Sequence, residues 1–225
     1  LPGHTAFPGL VGMHNHLFYS TDGGDRDVLA AESFSRLYLA SGVTTIRTAG
    51  TLNLERDIAT KKSIDDGVLA GPKIHISSPY MDHQPGQRVD PAKVTDLINQ
   101  WADQGVTSLK IYENITRPEL GVMIDAAHKR GLKVTGHVCA VGFSEAAQAG
   151  IDNLEHGLPV DTEFFSRKKA DECPQRNEWV SELARIDPAS EAVQKMIREL
   201  VTRRVAITST LAIFESFIAD KFQLD

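Results

Sequence analysis

Four of the eight histidines fall at or near the ends of predicted strands, where side chains from remote parts of a chain can meet. His14 and His16 stand in "GMHNHLF", His137 in "TGHV" and His156 in "LEHG". Because side chains alternate along a strand, His14 and His16 share a face, and both imidazoles can bind one ion. An HxH pair alone is weak evidence, since a histidine can also be solvated or packed. Histidines on three strand ends together predict a metal centre.

A lysine lies on another predicted strand, in "LKIY", where Lys110 and Tyr112 share one side. An ordinary lysine at a strand end extends its ammonium group into solvent. At ~4 Å from a divalent ion, that group is repelled by roughly 8 kcal/mol at an effective dielectric of about 20. At a metal centre, Lys110 is therefore neutral or chemically altered. Carbon dioxide adds to a neutral amine to give a carbamate, whose two oxygens can bridge two metals.

Three residues are candidates for binding substrate, each with a plainer alternative. Tyr112 can donate a hydrogen bond to a substrate carboxylate. Alternatively, its ring packs against neighbouring side chains while its own hydroxyl group contacts water. Arg47, at the end of the second strand, can bind a carboxylate or form a salt bridge at the rim. His83 follows the third strand and either contacts substrate or is a solvated loop residue. Cys139, two residues beyond His137, is a thiolate ligand or a packed thiol.

A repeated alternation of short β-branched runs and longer segments of helical period positions these residues. Strands are predicted at 10–16, 43–48, 73–78, 108–112, 133–138, 153–156 and 205–211, and helices at about 26–40, 54–66, 91–103, 117–130, 143–149 and 189–203. A spacing of roughly 30 residues is typical of one βα unit, so we predict an α/β fold, a (β/α)₈ TIM-type barrel with about seven units present. A doubly wound sheet is the alternative, but no Gly-rich phosphate turn follows the first strand. Residues 164–188 are predicted to form an inserted loop or lid.

Composition excludes several classes of protein. The 225 residues suffice for one domain, and a net charge of −6 without a basic block argues against a nucleic-acid partner. No stretch approaches the ~20 apolar residues that a membrane span needs. The two cysteines are too few for a disulfide framework and too far apart for a CxxC pair. The chain opens on Leu1 rather than on methionine, so cytoplasmic and exported locations both stay open.

Five motifs, in order, carry a family resemblance: "FPGLVGMHNHL", "SGVTTIRTAG", "LKIY", "GLKVTGHV" and "GIDNLEHG". Together they resemble the metal-dependent amidohydrolase superfamily, and within it the imidazolonepropionase-like and prolidase-like branch. The resemblance implies a (β/α)₈ barrel with two divalent ions, usually zinc. It implies His14 and His16 as ligands of one metal, Lys110 as the carboxylated bridge, and His137 and His156 as ligands of the other.

Two parts of the family pattern are not found in this sequence: an aspartate at the end of an eighth strand and a small β-sandwich domain. We therefore expect residues 1–225 to be an incomplete barrel domain of a larger enzyme. Asp220 and Asp225 are candidates for the aspartate by position only, and a place on or beside a solvated helix suits them better.

The resemblance implies hydrolysis of an amide-type C–N bond, in a dipeptide or cyclic amide, by a metal-bound hydroxide. In that reading Lys110 is catalytic as well as metal-binding, and the incomplete chain is weak or inactive. A mononuclear enzyme like imidazolonepropionase or a deaminase, with unmodified Lys110, is one alternative. An inactive fragment is another, and its open strand edges favour a homo-oligomer. A phosphate-binding barrel fits less well, because "STLAIFES" after the seventh strand lacks glycine.

Overall fold

The structure is a computed structural model of the chain, and it describes residues 3–21 and 26–216. The chain divides into two compact units. The first contains the described residues up to 79 together with 104–107, and the second contains 80–103 and the described residues from 108 onward. That residues 1–225 form one incomplete barrel domain stays a prediction.

The first unit is built on a parallel sheet of three strands, in the order β1 (Leu10–Asn15), β4 (Val43–Thr48) and β5 (Lys73–His75). Two helices accompany it, α1 (Ala31–Ala40) and α2 (Leu54–Asp65). Ile46 and Ile74, which are neighbours across β4 and β5, are fully buried. This core holds β1 at one edge of the sheet and thereby positions His14 and His16.

A β-hairpin follows β1, and here the predicted helix 26–40 is wrong in its first part. Strands β2 (Phe18–Thr21) and β3 (Arg26–Leu29) pair antiparallel, and the helix begins only at Ala31. The amide of Ala30 donates to the carbonyl of Leu17 at 3.0 Å and closes the pairing. The backbone groups that a longer helix would use are thus satisfied by the hairpin.

The second unit contains four strands paired in parallel: β7 (Ser108–Ile111), β8 (Lys133–Gly136), β9 (Asn153–Glu155) and β10 (Ala206–Thr208). The end of β6 (Ser77–Met81) lies on the far side of β7, where the Tyr112 amide donates to the Met81 carbonyl at 2.9 Å. The predicted strand 73–78 is therefore two strands, β5 and β6, with Ile76 between them.

Helices of the second unit follow these strands as βα units require. They are α3 (Pro91–Asp103), α4 (Arg117–Lys129), α5 (Phe143–Ala149), α6 (Arg176–Leu183), α7 (Glu191–Arg203) and α8 (Leu211–Ser216). Helix α3 packs against α4, α4 against α5, and α5 against α7. The predicted bounds of α3 and α5 are confirmed. Sheets of parallel strands, each joined to the next through a helix, confirm the α/β class.

Two predictions about the end of this unit need correction. The segment 164–188 is not only a loop, because it contains α6, whose Trp179 is buried. The predicted strand 205–211 ends at Thr208, and Leu211 begins α8. Within residues 3–21 and 26–216, no helix is long and apolar enough to span a membrane.

Candidate active site

The first histidine pair lies at the end of β1 in the first unit, with His14 in the strand and His16 directly after it. The ring centroids of His14 and His16 are 5.2 Å apart, with the rings nearly perpendicular. The Tyr38 hydroxyl, on α1, donates to the carbonyl of His16 at 2.8 Å and holds the chain there. Two imidazoles bound to one tetrahedral zinc, each at a Zn–N distance of about 2.0 Å, have centroids about 5 Å apart. The spacing of this pair therefore fits two ligands of one ion.

The second histidine pair lies in the second unit, directly after β8 and β9. The ring centroids of His137 and His156 are 4.5 Å apart. Their amides continue the ladder beyond the strands, with His137 donating to Ile111 at 3.1 Å and His156 to Thr208 at 2.8 Å. The separation of these rings also suits two ligands of one ion.

The position of His156 is tightly specified. Its backbone has a φ of 67°, in the left-handed region, and Gly157 follows with a φ of 75°. A non-glycine residue there costs backbone energy, and residues with such strain cluster at active and ligand-binding sites. The Nδ1 of His156 is 2.7 Å from the Thr210 hydroxyl. This hydrogen bond orients the ring, as partners of metal-binding histidines do, and directs Nε2 away from Thr210.

Lys110 lies on β7 and is only 1% exposed. Its register partner on β8 is Thr135, which in turn is paired with Asn153 on β9. Asn153 donates to the Thr135 hydroxyl at 2.8 Å, and Thr135 donates to the carboxylate of Glu155. Lys110 thus shares a buried, polar face of the sheet with these side chains.

A cavity of about 610 Å³ opens beside the second pair. It is lined by Pro85, Glu113, Asn114, His137, Cys139, His156, Pro159, Val160, Cys173, Pro174, Gln175, Arg176, Trp179, Ile213 and Phe214. This volume is typical of sites for small ligands. The described part of the lining combines the two imidazoles with the Arg176 guanidinium, the Glu113 carboxylate and several apolar side chains.

A disulfide bond at this cavity corrects the predictions for the cysteines. Cys139 and Cys173 are joined, with their Cα atoms 5.0 Å apart. Cys139 is therefore neither a packed thiol nor a thiolate ligand. The separation of 34 residues hides the pairing in the sequence, because only the fold brings the segment before α6 against the end of β8.

Tyr112 and Glu113 lie next to His137. The Tyr112 ring is 5.1 Å from the His137 ring, and the carboxylate of Glu113 is 3.5 Å from the Nε2 of His137. Burial raises the pKa of both Tyr112 and Glu113, and the negative charge of Asp82 adds to the rise. The predicted contact of Tyr112 with substrate stays a prediction. Sequence reasoning missed Glu113, although its place directly after the strand that carries Lys110 was a usable signal.

His83 and Arg47, the other two residues predicted to bind substrate, make contacts within the protein. The Nε2 of His83 is 3.0 Å from Glu119, and both side chains are nearly fully buried. Arg47 donates from Nε and Nη2 to the carbonyl of Met13, at 2.9 and 2.6 Å, and so links β4 to β1. Their predicted roles in binding substrate stay predictions, and these contacts favour a supporting role.

In the described ranges, no three His, Cys, Asp or Glu side chains are grouped as a metal site. The donors that fit a metal are thus the two histidine pairs, each within its own unit, together with Lys110. Asp220 and Asp225 lie outside the described residues.

An α/β chain with imidazoles at the ends of parallel strands has the arrangement of a metal-dependent barrel enzyme. The model of the amidohydrolase family matches residues 5–198, so the chain belongs to the amidohydrolase family. That family is generally metal-dependent, and membership supports a hydrolase. None of the curated protein sequences compared with the chain matches it.

Two solved structures resemble the chain in fold. A bottromycin amidohydrolase is 19% identical with a TM-score of 0.53, over 66% of this chain and 32% of its own. A structure from the engineering of organophosphate hydrolysis activity from a weak promiscuous lactonase template is 14% identical with a TM-score of 0.53. That match covers 88% of this chain and 65% of the other. The chain thus spans less than two thirds of either relative, and the likeness supports the TIM-type (β/α)₈ fold.

Proposed function

We propose that the chain carries the catalytic centre of a zinc-dependent hydrolase of amide-type C–N bonds, in dipeptides or cyclic amides. We place it in the imidazolonepropionase-like and prolidase-like branch of its family. The proposed ligands are His14 and His16 for one ion, His137 and His156 for a second, and Lys110 as a carbamate. The ordered motifs, the family membership and the ring spacing within each pair support this assignment.

The observation that carries the proposal is the second histidine pair at its cavity. His137 and His156 are adjacent, His156 is oriented by Thr210, and both line a cavity large enough for a dipeptide. A buried structural histidine pair would have no need of a strained backbone and an adjoining cavity. Geometry of this kind is typical of a site that binds a metal and a small substrate.

Different residues of the chain have different roles at the proposed site. Zinc, when bound, lowers the pKa of water and polarises a carbonyl group. Thr210 holds the orientation of the His156 ring, and the tautomer whose Nδ1 donates to the hydroxyl group presents a lone pair at Nε2. The buried Trp179 and Val160 form an apolar wall of the cavity and exclude water from a bound substrate. Lys110 forms its carbamate when its neutral amine adds to carbon dioxide and releases a proton.

Metal analysis and mass spectrometry of the full chain, purified with bicarbonate, test the proposal. We expect about two zinc ions per chain, and a carbon dioxide increment on Lys110 that is lost on mild acidification. A chelator should abolish hydrolysis of a dipeptide panel, and zinc should restore it. The Lys110→Met variant is the matched control and should lack the increment. One ion with unmodified Lys110 would favour the mononuclear alternative, whereas concentration-dependent association without metal would favour an inactive fragment.

A further inference from the structure

Among the described residues, Arg176 is the cation that lines the cavity beside the second histidine pair. Arg176 is the first residue of α6, is exposed, and lies on the cavity wall with Trp179. Residues three apart on a helix share a face, so the cavity face of α6 presents the guanidinium and the indole together. Trp179 is 7% exposed, and its burial fixes the rotation of α6 about its axis.

Two sets of bonds hold the start of α6 near His137. The disulfide bond joins Cys173, three residues before Arg176, to Cys139, two residues after His137. The ammonium group of Lys168 donates to the carbonyls of Cys139 at 3.0 Å and Ala140 at 2.7 Å. The segment that carries Arg176 is thus tied to the end of β8 at more than one point. A loosely attached loop would not keep a guanidinium at one place on the cavity wall.

The charge of Arg176 reaches the cavity but is not neutralised by a partner. Among the residues that the structure describes, Arg176 forms no ion pair and no side-chain hydrogen bond. Its charge nevertheless lowers the pKa of Glu113 and Tyr112, although burial outweighs this and leaves both pKa values raised. A guanidinium that is charged at every accessible pH, and has five donors in a planar fork, suits a carboxylate in two-point contact.

We propose that Arg176 determines specificity by binding the free carboxylate of the substrate. The substrates are then dipeptides or N-acyl amino acids whose carboxyl-terminal side chain is apolar, because Trp179 and Phe214 form the adjoining wall. This inference rests on the proposed function, since it names the class of amide that the same site takes. A cyclic amide without a carboxylate would lack this contact and bind less tightly.

Calorimetric titration of the zinc-loaded full chain with two ligands tests the inference. 4-Methylpentanoate carries the carboxylate and an apolar chain without an amide bond to hydrolyse, and 4-methylpentan-1-ol is its neutral match. In Arg176→Gln we expect Kd for the acid to rise about tenfold and Kd for the alcohol to stay within about twofold. Arg176→Lys should fall between, because lysine keeps the charge and loses the fork. Arg185→Gln, an exposed arginine two residues after α6, is the control and should change neither Kd.

Steady-state kinetics on glycyl-leucine and its amide separates this inference from the proposed function. We expect Arg176→Gln to raise KM for the dipeptide and leave kcat nearly unchanged, because the contact is equal in ground and transition states. Wild-type hydrolysis with no effect of Arg176 on the preference for acid over amide overturns the inference and leaves the proposed function standing. Binding that depends on Arg176, without hydrolysis of any dipeptide, overturns the proposed function instead. An acid that does not bind the wild type at all also overturns the inference.

Discussion

The two histidine pairs are built in different ways. His14 and His16 come from the end of one strand, β1, and the residue directly after it. This strand is the edge of a three-stranded sheet and exposes Val11 by 60% and Met13 by 47%. His137 and His156 directly follow neighbouring strands, β8 and β9, of a sheet whose central side chains are buried. The same pair of imidazoles thus arises once from local alternation along a strand and once from the pairing of distant segments.

This difference teaches which interactions hold each pair in place. In the first pair, the closeness of the two residues along one strand end sets the spacing, and the hydrogen bond from Tyr38 fixes the backbone at His16. In the second pair, the spacing depends on strand register, on Thr210 and on a disulfide bond across the cavity. We therefore expect changes in distant residues to disturb the second pair, and only changes near β1 to disturb the first.

The largest effect is expected from removing either pair. The His14→Ala/His16→Ala variant and the His137→Ala/His156→Ala variant should each bind about one zinc ion fewer than the wild type. Each should lower kcat/KM by about 10³ or more, because neither ion alone supplies the proposed chemistry. Elemental analysis and dipeptide hydrolysis measure both effects.

His128→Ala is the matched control for these variants. His128 is exposed and pairs with Asp152 at 2.8 Å on the surface of the second unit. The His128→Ala variant should keep the zinc content and activity of the wild type. If a pair variant also retains the full zinc content, those two histidines are not ligands.

Removal of the disulfide bond should act on the second unit with the next largest effect. The bond closes a loop with a sequence separation of 34 residues, and the chain-entropy model gives a loss of about 4 kcal/mol in unfolding free energy without it. Urea denaturation of Cys173→Ser should show this loss, and Cys139→Ser/Cys173→Ser should add little to it. A reductant should destabilise the wild type and leave the double variant unchanged. Equal stability of all three proteins would show that the bond does not form in solution.

The buried carboxylate of Glu119, at the start of α4, should make the stability of the second unit sensitive to acid. Glu119 is 8% exposed, and burial alone would raise its pKa. Hydrogen bonds from Thr116, the Val89 amide and His83 outweigh burial and hold the pKa at about 2, against an ordinary value of 4.5. A carboxyl group whose pKa is lower in the folded state stabilises the fold above its ordinary pKa, and this contribution is lost as pH falls toward 2.

Urea denaturation of the wild type and of Glu119→Gln between pH 4.5 and about 2 measures how much the ionised Glu119 carboxylate stabilises the fold. The wild type should lose on the order of 3 kcal/mol more than the variant between pH 4.5 and about 2. Glu191→Gln, an exposed residue in the first turn of α7, should follow the wild type. If the unfolding free energies of the wild type and Glu119→Gln change with pH in the same way, the ionised Glu119 carboxylate does not stabilise the fold.

Several features of the site could be predicted because they depend on local periodicity. The HxH pair requires only alternation along β1, and the glycines that end helices give the bounds of α3 and α5. The hairpin at Phe18–Thr21 and Arg26–Leu29 was missed, because polar strands and a helix have similar composition there. The disulfide bond and the place of Arg176 depend on how a remote segment returns to β8. No local pattern encodes that return, so these features required the structure.

The smallest effect is expected from Thr210, whose hydroxyl group forms a hydrogen bond with the Nδ1 of His156. In Thr210→Val, His156 loses the Thr210 hydroxyl as the partner of its Nδ1, so this hydrogen bond no longer holds the orientation of its ring. Loss of such a partner typically weakens metal binding by about 10- to 100-fold, and we expect the lower value because Thr210 is partly exposed. Competition with a zinc-sensitive dye measures this affinity. Thr202→Val loses a comparable hydroxyl, which donates to a carbonyl within α7 at 2.7 Å, and should bind zinc as the wild type does. Equal affinity in Thr210→Val would mean that strand register alone orients His156, and the contrast between the two pairs would then disappear.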